Sequence, residues 1–153
     1  MKTHQLLLLG ILAAASQAYT QTPAPKPADN TQPTTITSDQ FQLDLSGRKG
    51  TFLGKVHVEG PNFQLTANEA SVFLSAANKP EKFVATGDIK IQHGTRTATA
   101  RQAEYDMSQQ KITLTGEPIV MEKQNRVTGQ TIIIYPATER MDVTGRSSVQ
   151  IFP

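Results

Sequence analysis

The 153-residue chain contains no cysteine and no tryptophan. Without cysteine there is no disulfide, no thiolate metal site, no cysteine nucleophile and no lipoprotein anchor. Aromatic residues are sparse, six Phe and three Tyr, so an apolar core must be largely aliphatic. Charge of one sign is scarce too. Fifteen Lys and Arg stand against thirteen Asp and Glu, a formal net charge of +2. That surplus is too small for a phosphate-tracking patch, and nucleic acid is not expected as a partner. No stretch carries a 3.6-residue apolar period, so no helix is predicted and no phosphate loop opens one. Beyond His4, the histidines are His57 and His93, and neither has a metal-ligand partner at a useful spacing. No serine lies in a G-x-S-x-G turn. The carboxylates Asp44, Glu69, Glu104 and Asp106 are scattered over polar faces and turns. No catalytic residue, metal or cofactor is therefore assigned, and the chain is not expected to be an enzyme.

The N-terminus reads as an address. Lys2 precedes the apolar run LLLLGILAAA, Leu6 to Ala15, and Ser16-Gln17-Ala18 supplies small residues for a cut after Ala18. This is the pattern of a secretory signal peptide, residues 1–18, and the run is short of the roughly 20 residues of a spanning helix. Export across a membrane follows as an expectation. Loss of Lys2 also brings the exported chain to within one charge of neutral. Residues 19–35, YTQTPAPKPADNTQPTT, hold four Pro and five Thr and almost nothing apolar. Such a stretch cannot build a core, and a disordered linker is expected there. The globular part is expected over 36–153, a length that fits one domain.

What is present is a repeat. Gly54, Gly87, Gly116 and Gly145 are separated by 33, 29 and 29 residues. Ser38, Ala67, Ala100 and Gly129 form a second set, separated by 29, 33 and 29. The two sets keep step, with four extra residues near the turn Ala76–Glu81, so a unit of 29 residues recurs about four times. Around each glycine apolar residues recur at every second position, the period of a strand with one buried face. That face reads Phe52, Val56 and Val58, then Phe83, Ile89 and Ile91, then Ile112, Leu114 and Val120, then Val143. The opposite face carries Lys55, His57, Asp88, Lys90, Thr113, Glu117, Asp142 and Arg146. The glycines mark a bend, a bulge or a close approach, and Pro118 should interrupt its ladder.

Between the glycine strands the parity changes. Phe63, Leu65 and Ala67 alternate, and the apolar set then moves by one residue to Ala70, Val72 and Leu74. Phe41, Leu43 and Leu45 fall at matching places. A one-residue shift turns the other face inward unless a bulge or corner restores it. Turn-type residues at Ser46–Gly50, Gly60–Asn62, Asn78–Pro80, His93-Gly94, Ser108–Gln110, Lys123–Asn125 and Pro136–Thr138 separate the strands. The predicted fold is all-β and antiparallel, with long strands in consecutive hairpins.

Two uses of the apolar face remain open at this point. One is an ordinary dry core, in a structural, self-assembling β-repeat module of the cell envelope. The other is a gap between two facing sheets that takes acyl chains, each buried CH₂ contributing about 0.8 kcal/mol. On that second use, the lipid-facing candidates are the ten residues of the apolar face above together with Phe63 and Leu65, twelve in all. Periodicity does not choose between the two.

Certain segments carry a resemblance: Phe83-Val84-Ala85-Thr86-Gly87-Asp88-Ile89-Lys90-Ile91, Ala100-Arg101-Gln102-Ala103-Glu104-Tyr105-Asp106, Lys111-Ile112-Thr113-Leu114-Thr115-Gly116 and Val127-Thr128-Gly129-Gln130. In order and spacing they resemble the OstA-like (LptA) family of periplasmic lipopolysaccharide-transport proteins. The resemblance covers 36–153. It implies an open antiparallel β-jellyroll and a passive carrier that shields the acyl chains of lipid A. It also implies a bridge from an inner-membrane ABC transporter complex to an outer-membrane translocon, built by head-to-tail joining of copies. The alternating terminal stretch with Val149 and Ile151 is the expected oligomer edge. Lys55, Lys90, Arg96 and Arg101 are the cations expected to meet the glycolipid's phosphates.

Overall fold

The structure, a computed structural model, describes residues 33–153. The expected signal peptide and the expected linker up to residue 32 lie outside the described residues. The first strand opens at Thr35, one residue before the expected domain boundary.

Every regular element among the described residues is a strand. In chain order they are β1 (Thr35–Thr37), β2 (Gln40–Asp44), β3 (Lys49–Glu59), β4 (Phe63–Leu74), β5 (Pro80–His93) and β6 (Arg96–Asp106). There follow β7 (Lys111–Thr115), β8 (Ile119–Glu122), β9 (Asn125–Thr128), β10 (Thr131–Tyr135), β11 (Arg140–Thr144) and β12 (Ser148–Gln150). All pairings are antiparallel and join nearest passes of the chain, so the sheet is an unclosed meander.

The twelve strands amount to eight passes of the chain. β3, β4, β5 and β6 are single long passes. The pairs β1/β2, β7/β8, β9/β10 and β11/β12 are the remaining passes, each broken in the middle. At mid-pass every pass crosses one common corner, which divides the sheet into two halves. On one side β2 pairs β3, and β6, β7, β10 and β11 follow in order. On the other side β1 pairs β3, and β6, β8, β9 and β12 follow.

The corner explains the glycine spacing. Gly87 and Asp88 both lie in the left-handed region, φ +77° and +46°, and Gly116 and Glu117 repeat this at +75° and +57°. Two successive residues of that hand bend a strand sharply, and glycine is the residue that tolerates the first position. Leu53 pairs with Glu69 and Val56 with Ala67, which leaves Gly54 and Lys55 opposite the single residue Asn68. The same count, two against one, sets Gly87 and Asp88 against Arg101. The partner pass therefore advances one residue less, and this produces the parity shift from Leu65 and Ala67 to Ala70 and Val72. Both sets end up buried or half-buried. Pro118 sits between β7 and β8 and is fully buried, so the ladder breaks there as expected.

Two local expectations are corrected. Lys49 and Gly50, expected in a turn, belong to β3; Gly50 is buried under Phe41, whose ring would lie 3.1 Å from an added Cβ. Phe41 and Leu43 lie on the inward-facing rows but are 55% and 53% exposed, because β2 is an edge that no further pass covers among the described residues.

Candidate functional site: the apolar interior and two free edges

Strand register lines up the inward side chains in rows across the sheet. On the β2 side one row runs through Phe52, Ala70, Ala85, Ala103, Leu114, Ile132 and Val143. On the β1 side another runs through Val58, Leu65, Ile91, Ala98, Val120 and Val127. Residues of both halves belong to one apolar cluster, so the two halves bury a shared interior. All twelve lipid-facing candidates lie in it. Val56, Val58, Leu65, Ile89, Leu114 and Val120 are buried, and Phe52, Phe63, Phe83, Ile91, Ile112 and Val143 pack against them.

Ile132 is a central member that the candidate set lacks. It is fully buried between Leu114 and Val143. Ile132-Ile133-Ile134 has no alternation to show which side faces inward; only the repeat, which aligns Ile132 with Ala103, carries that signal.

The interior is packed. No buried side-chain nitrogen or oxygen lacks a hydrogen-bond partner among the described residues. A cleft of about 110 Å³ opens between the halves, lined by Arg96, Val120 and Glu122 on one side and Ile134 and Met141 on the other. Pockets that hold drug-sized ligands run to about 300–1,000 Å³. At about 110 Å³ this cleft is smaller than such a pocket.

The four candidate cations are dispersed. Lys55 and Arg101 stand on the corner, Lys90 points outward between the inward Ile89 and Ile91, and Arg96 lies at the cleft mouth. Two of them are already engaged by carboxylates. Arg96 contacts both oxygens of Glu122, at 3.4 and 3.2 Å, and Arg101 donates to Glu117 at 2.9 Å. Turn carboxylates are likewise occupied. Asp44 accepts from the Gly47 N–H and the Ser46 hydroxyl, which hold it below the usual carboxylate range. Asp106 is lowered in the same way by the Ser108 hydroxyl and the Gln109 N–H. Arg140 lies 4.8 Å from the Tyr135 ring centroid and lowers the Asp142 carboxyl by hydrogen bonding to it.

Among the described residues both ends of the meander are unpaired. β1 and β2 form one edge, β11 and β12 the other. Val149, 58% exposed, pairs Val127 on its inner side and has no strand partner on its outer side among the described residues. Ile151, 75% exposed, lies just past β12, where the Phe152 N–H donates to the Asn125 side chain.

These features have counterparts among known proteins. The crystal structure of LptH, the LptA-homologous periplasmic component of the lipopolysaccharide transport device of Pseudomonas aeruginosa, superposes with a TM-score of 0.75. It covers 83% of this chain and 100% of that one at 18% identity, a likeness of fold: the open β-jellyroll. A comparison with curated proteins gives no sequence match. The family model described as LptA/(LptD N-terminal domain) LPS transport protein matches residues 35–140, from β1 to the start of β11. The chain belongs to this family of lipopolysaccharide-transport proteins.

Proposed function

We infer that this protein carries lipopolysaccharide through the periplasm by shielding the acyl chains of lipid A between its two half-sheets. The observation that carries this reading is the shared interior. Among the described residues it is apolar along every pass, holds no unsatisfied buried polar side chain, and is bounded by two free edges rather than by a closed barrel. A ligand with several acyl chains matches such a lining, since each buried CH₂ contributes about 0.8 kcal/mol with no directional contact. Phosphates and sugars stay at the rim, within reach of Lys55, Lys90, Arg96 or Arg101. The free edges support joining of copies head to tail, from the inner-membrane ABC transporter complex to the outer-membrane translocon. An unpaired edge strand is a ready template for another strand.

The small cleft favours a second reading, a self-assembling envelope module with a dry core. Lipid extraction separates the two. Protein purified from its native envelope without detergent is expected to hold hydroxylated fatty acids in near-stoichiometric amount, and stripped protein to co-elute with added lipopolysaccharide. Lipid-free protein that ignores added lipopolysaccharide supports the dry core.

A further inference from the structure

The corner holds an ordered line of side chains. Adjacent passes lie about 4.8 Å apart, so residues at the corner of neighbouring passes are within reach of one another. Along the first four passes the corner residues are Asp39, Lys55, Asn68 and Asp88; along the last four they are Arg101, Glu117, Gln130 and Arg146. Each glycine of the repeat is covered by the corner residue of the pass before it. A Cβ at Gly54 would meet Asp39, at Gly87 Asn68, at Gly116 Arg101 and at Gly145 Gln130. The signs of charge alternate, with neutral residues at Asn68 and Gln130, and no two like charges are neighbours. Arg101 and Glu117 on adjacent passes form an ion pair at 2.9 Å.

The line ends in opposite signs. The β1/β2 edge carries Asp39 and Asp44 and no basic residue, whereas the β11/β12 edge carries Arg140 and Arg146 against Asp142. Asp39 and Arg146 are exposed, and neither has an ion-pair partner among the described residues. Extending the internal register by one pass sets the edge of a second copy against β11/β12. Thr144 then faces that copy's Gln40, Val143 its Phe41, Met141 its Leu43, and Arg146 its Asp39. The apolar rows continue across the joint and the charge alternation continues with them. The strands permit the competing arrangement as well. A two-fold axis through the corner pairs two β1/β2 edges antiparallel, but it sets Asp39 against its own copy, and two β11/β12 edges set Arg146 against Arg146. Like charges directly opposite are destabilising.

We propose that the charged corner, ending in Asp39 at one edge and Arg146 at the other, fixes the polarity and register with which a second copy of this chain adds. The proposal rests on the head-to-tail reading above. It makes the contact heterologous, so that copies extend as an open row rather than closing as a two-fold dimer.

The absence of native cysteine permits a clean test. Chains with Thr144→Cys and chains with Gln40→Cys are mixed at about 0.1 M salt, and disulfide-linked dimers are counted. Mixed dimers are expected to exceed either homodimer. Arg146→Glu in the Thr144→Cys chain is expected to lower their yield about fivefold, Asp39→Arg in the other chain to restore it, and about 1 M salt to remove the difference. Unchanged circular dichroism shows that each variant is folded. Mixed dimers indifferent to both charge reversals overturn the corner's role and leave head-to-tail joining intact. A Gln40→Cys chain that links chiefly to itself overturns the polarity. No dimers at any salt overturn head-to-tail joining and the corner's role together.

Discussion

Replacing Leu114 with Ala is expected to lower the unfolding free energy by about 2–5 kcal/mol, in the upper part of that range. Leu114 is 0% exposed. It lies on β7 between Ala103 on one side and Ile132 on the other, in the row that crosses the β2 half of the sheet. The cost of a large-to-small change grows with the cavity that persists, and collapse requires neighbours able to move in. Ala103 has no length to offer, and Ile132 is a β-branched side chain itself fully buried. Urea denaturation measures the change, with Thr113→Ala on the outward face of the same strand expected within about 0.5 kcal/mol of the parent. A loss at Leu114 below about 1 kcal/mol, with an unchanged denaturant slope, contradicts a close-packed interior at this point.

Gly87→Val is expected to destabilise by about 3 kcal/mol or more, from two separable causes. The first is conformational. At φ +77° a β-branched residue is in the left-handed region, which costs an L-residue roughly 1–2 kcal/mol before any contact is considered. The second is steric. A Cβ at Gly87 would lie 2.5 Å from Asn68 Nδ2 and 2.9 Å from Asn68 Cβ. An Asn68→Gly background removes the second cause and leaves the first. The double variant is therefore expected to recover part of the loss relative to Asn68→Gly alone, with roughly 1–2 kcal/mol persisting. Full recovery means the backbone at the corner is not committed to the left-handed region. No recovery means Asn68 does not cover Gly87.

The corner was legible in the sequence because it is written twice, once in the glycines and once in the parity of the intervening strands. Gly87 in an apolar alternation and the step from Ala67 to Ala70 are two signs of one event: two residues on one pass oppose one on the next. The twelve interior residues were legible because a half-buried strand alternates, and the register preserves that alternation across the sheet. What alternation does not encode is whether a further pass follows. Phe41 has the same local pattern as Phe83, yet it is exposed, because its strand is an edge and that of Phe83 is flanked on both sides.

The same limit applies to charge. Lys55 and Arg101 are expected from the sequence only as cations for a ligand's phosphates, because their neighbours at the corner are distant in sequence. Arg101 and Glu117 are 16 residues apart and become partners only when two passes stack. The space between the half-sheets left no trace in periodicity, since a packed core and a lipid groove require the same inward-facing residues. Ile112 and Leu114 would line either one.

Packed core and lipid groove differ in what the inward-facing residues touch in the cell. A photo-crosslinking residue is placed in turn at Leu65, Ile89 and Ile112, which face the shared interior, and at Lys90 and Thr113, which face away. Labelling of lipopolysaccharide in intact cells is then compared. If acyl chains travel between the half-sheets, the inward positions capture lipopolysaccharide and the outward positions capture several-fold less. Equal labelling on both faces, or none at the inward positions of folded protein, contradicts the shielding of acyl chains by this interior.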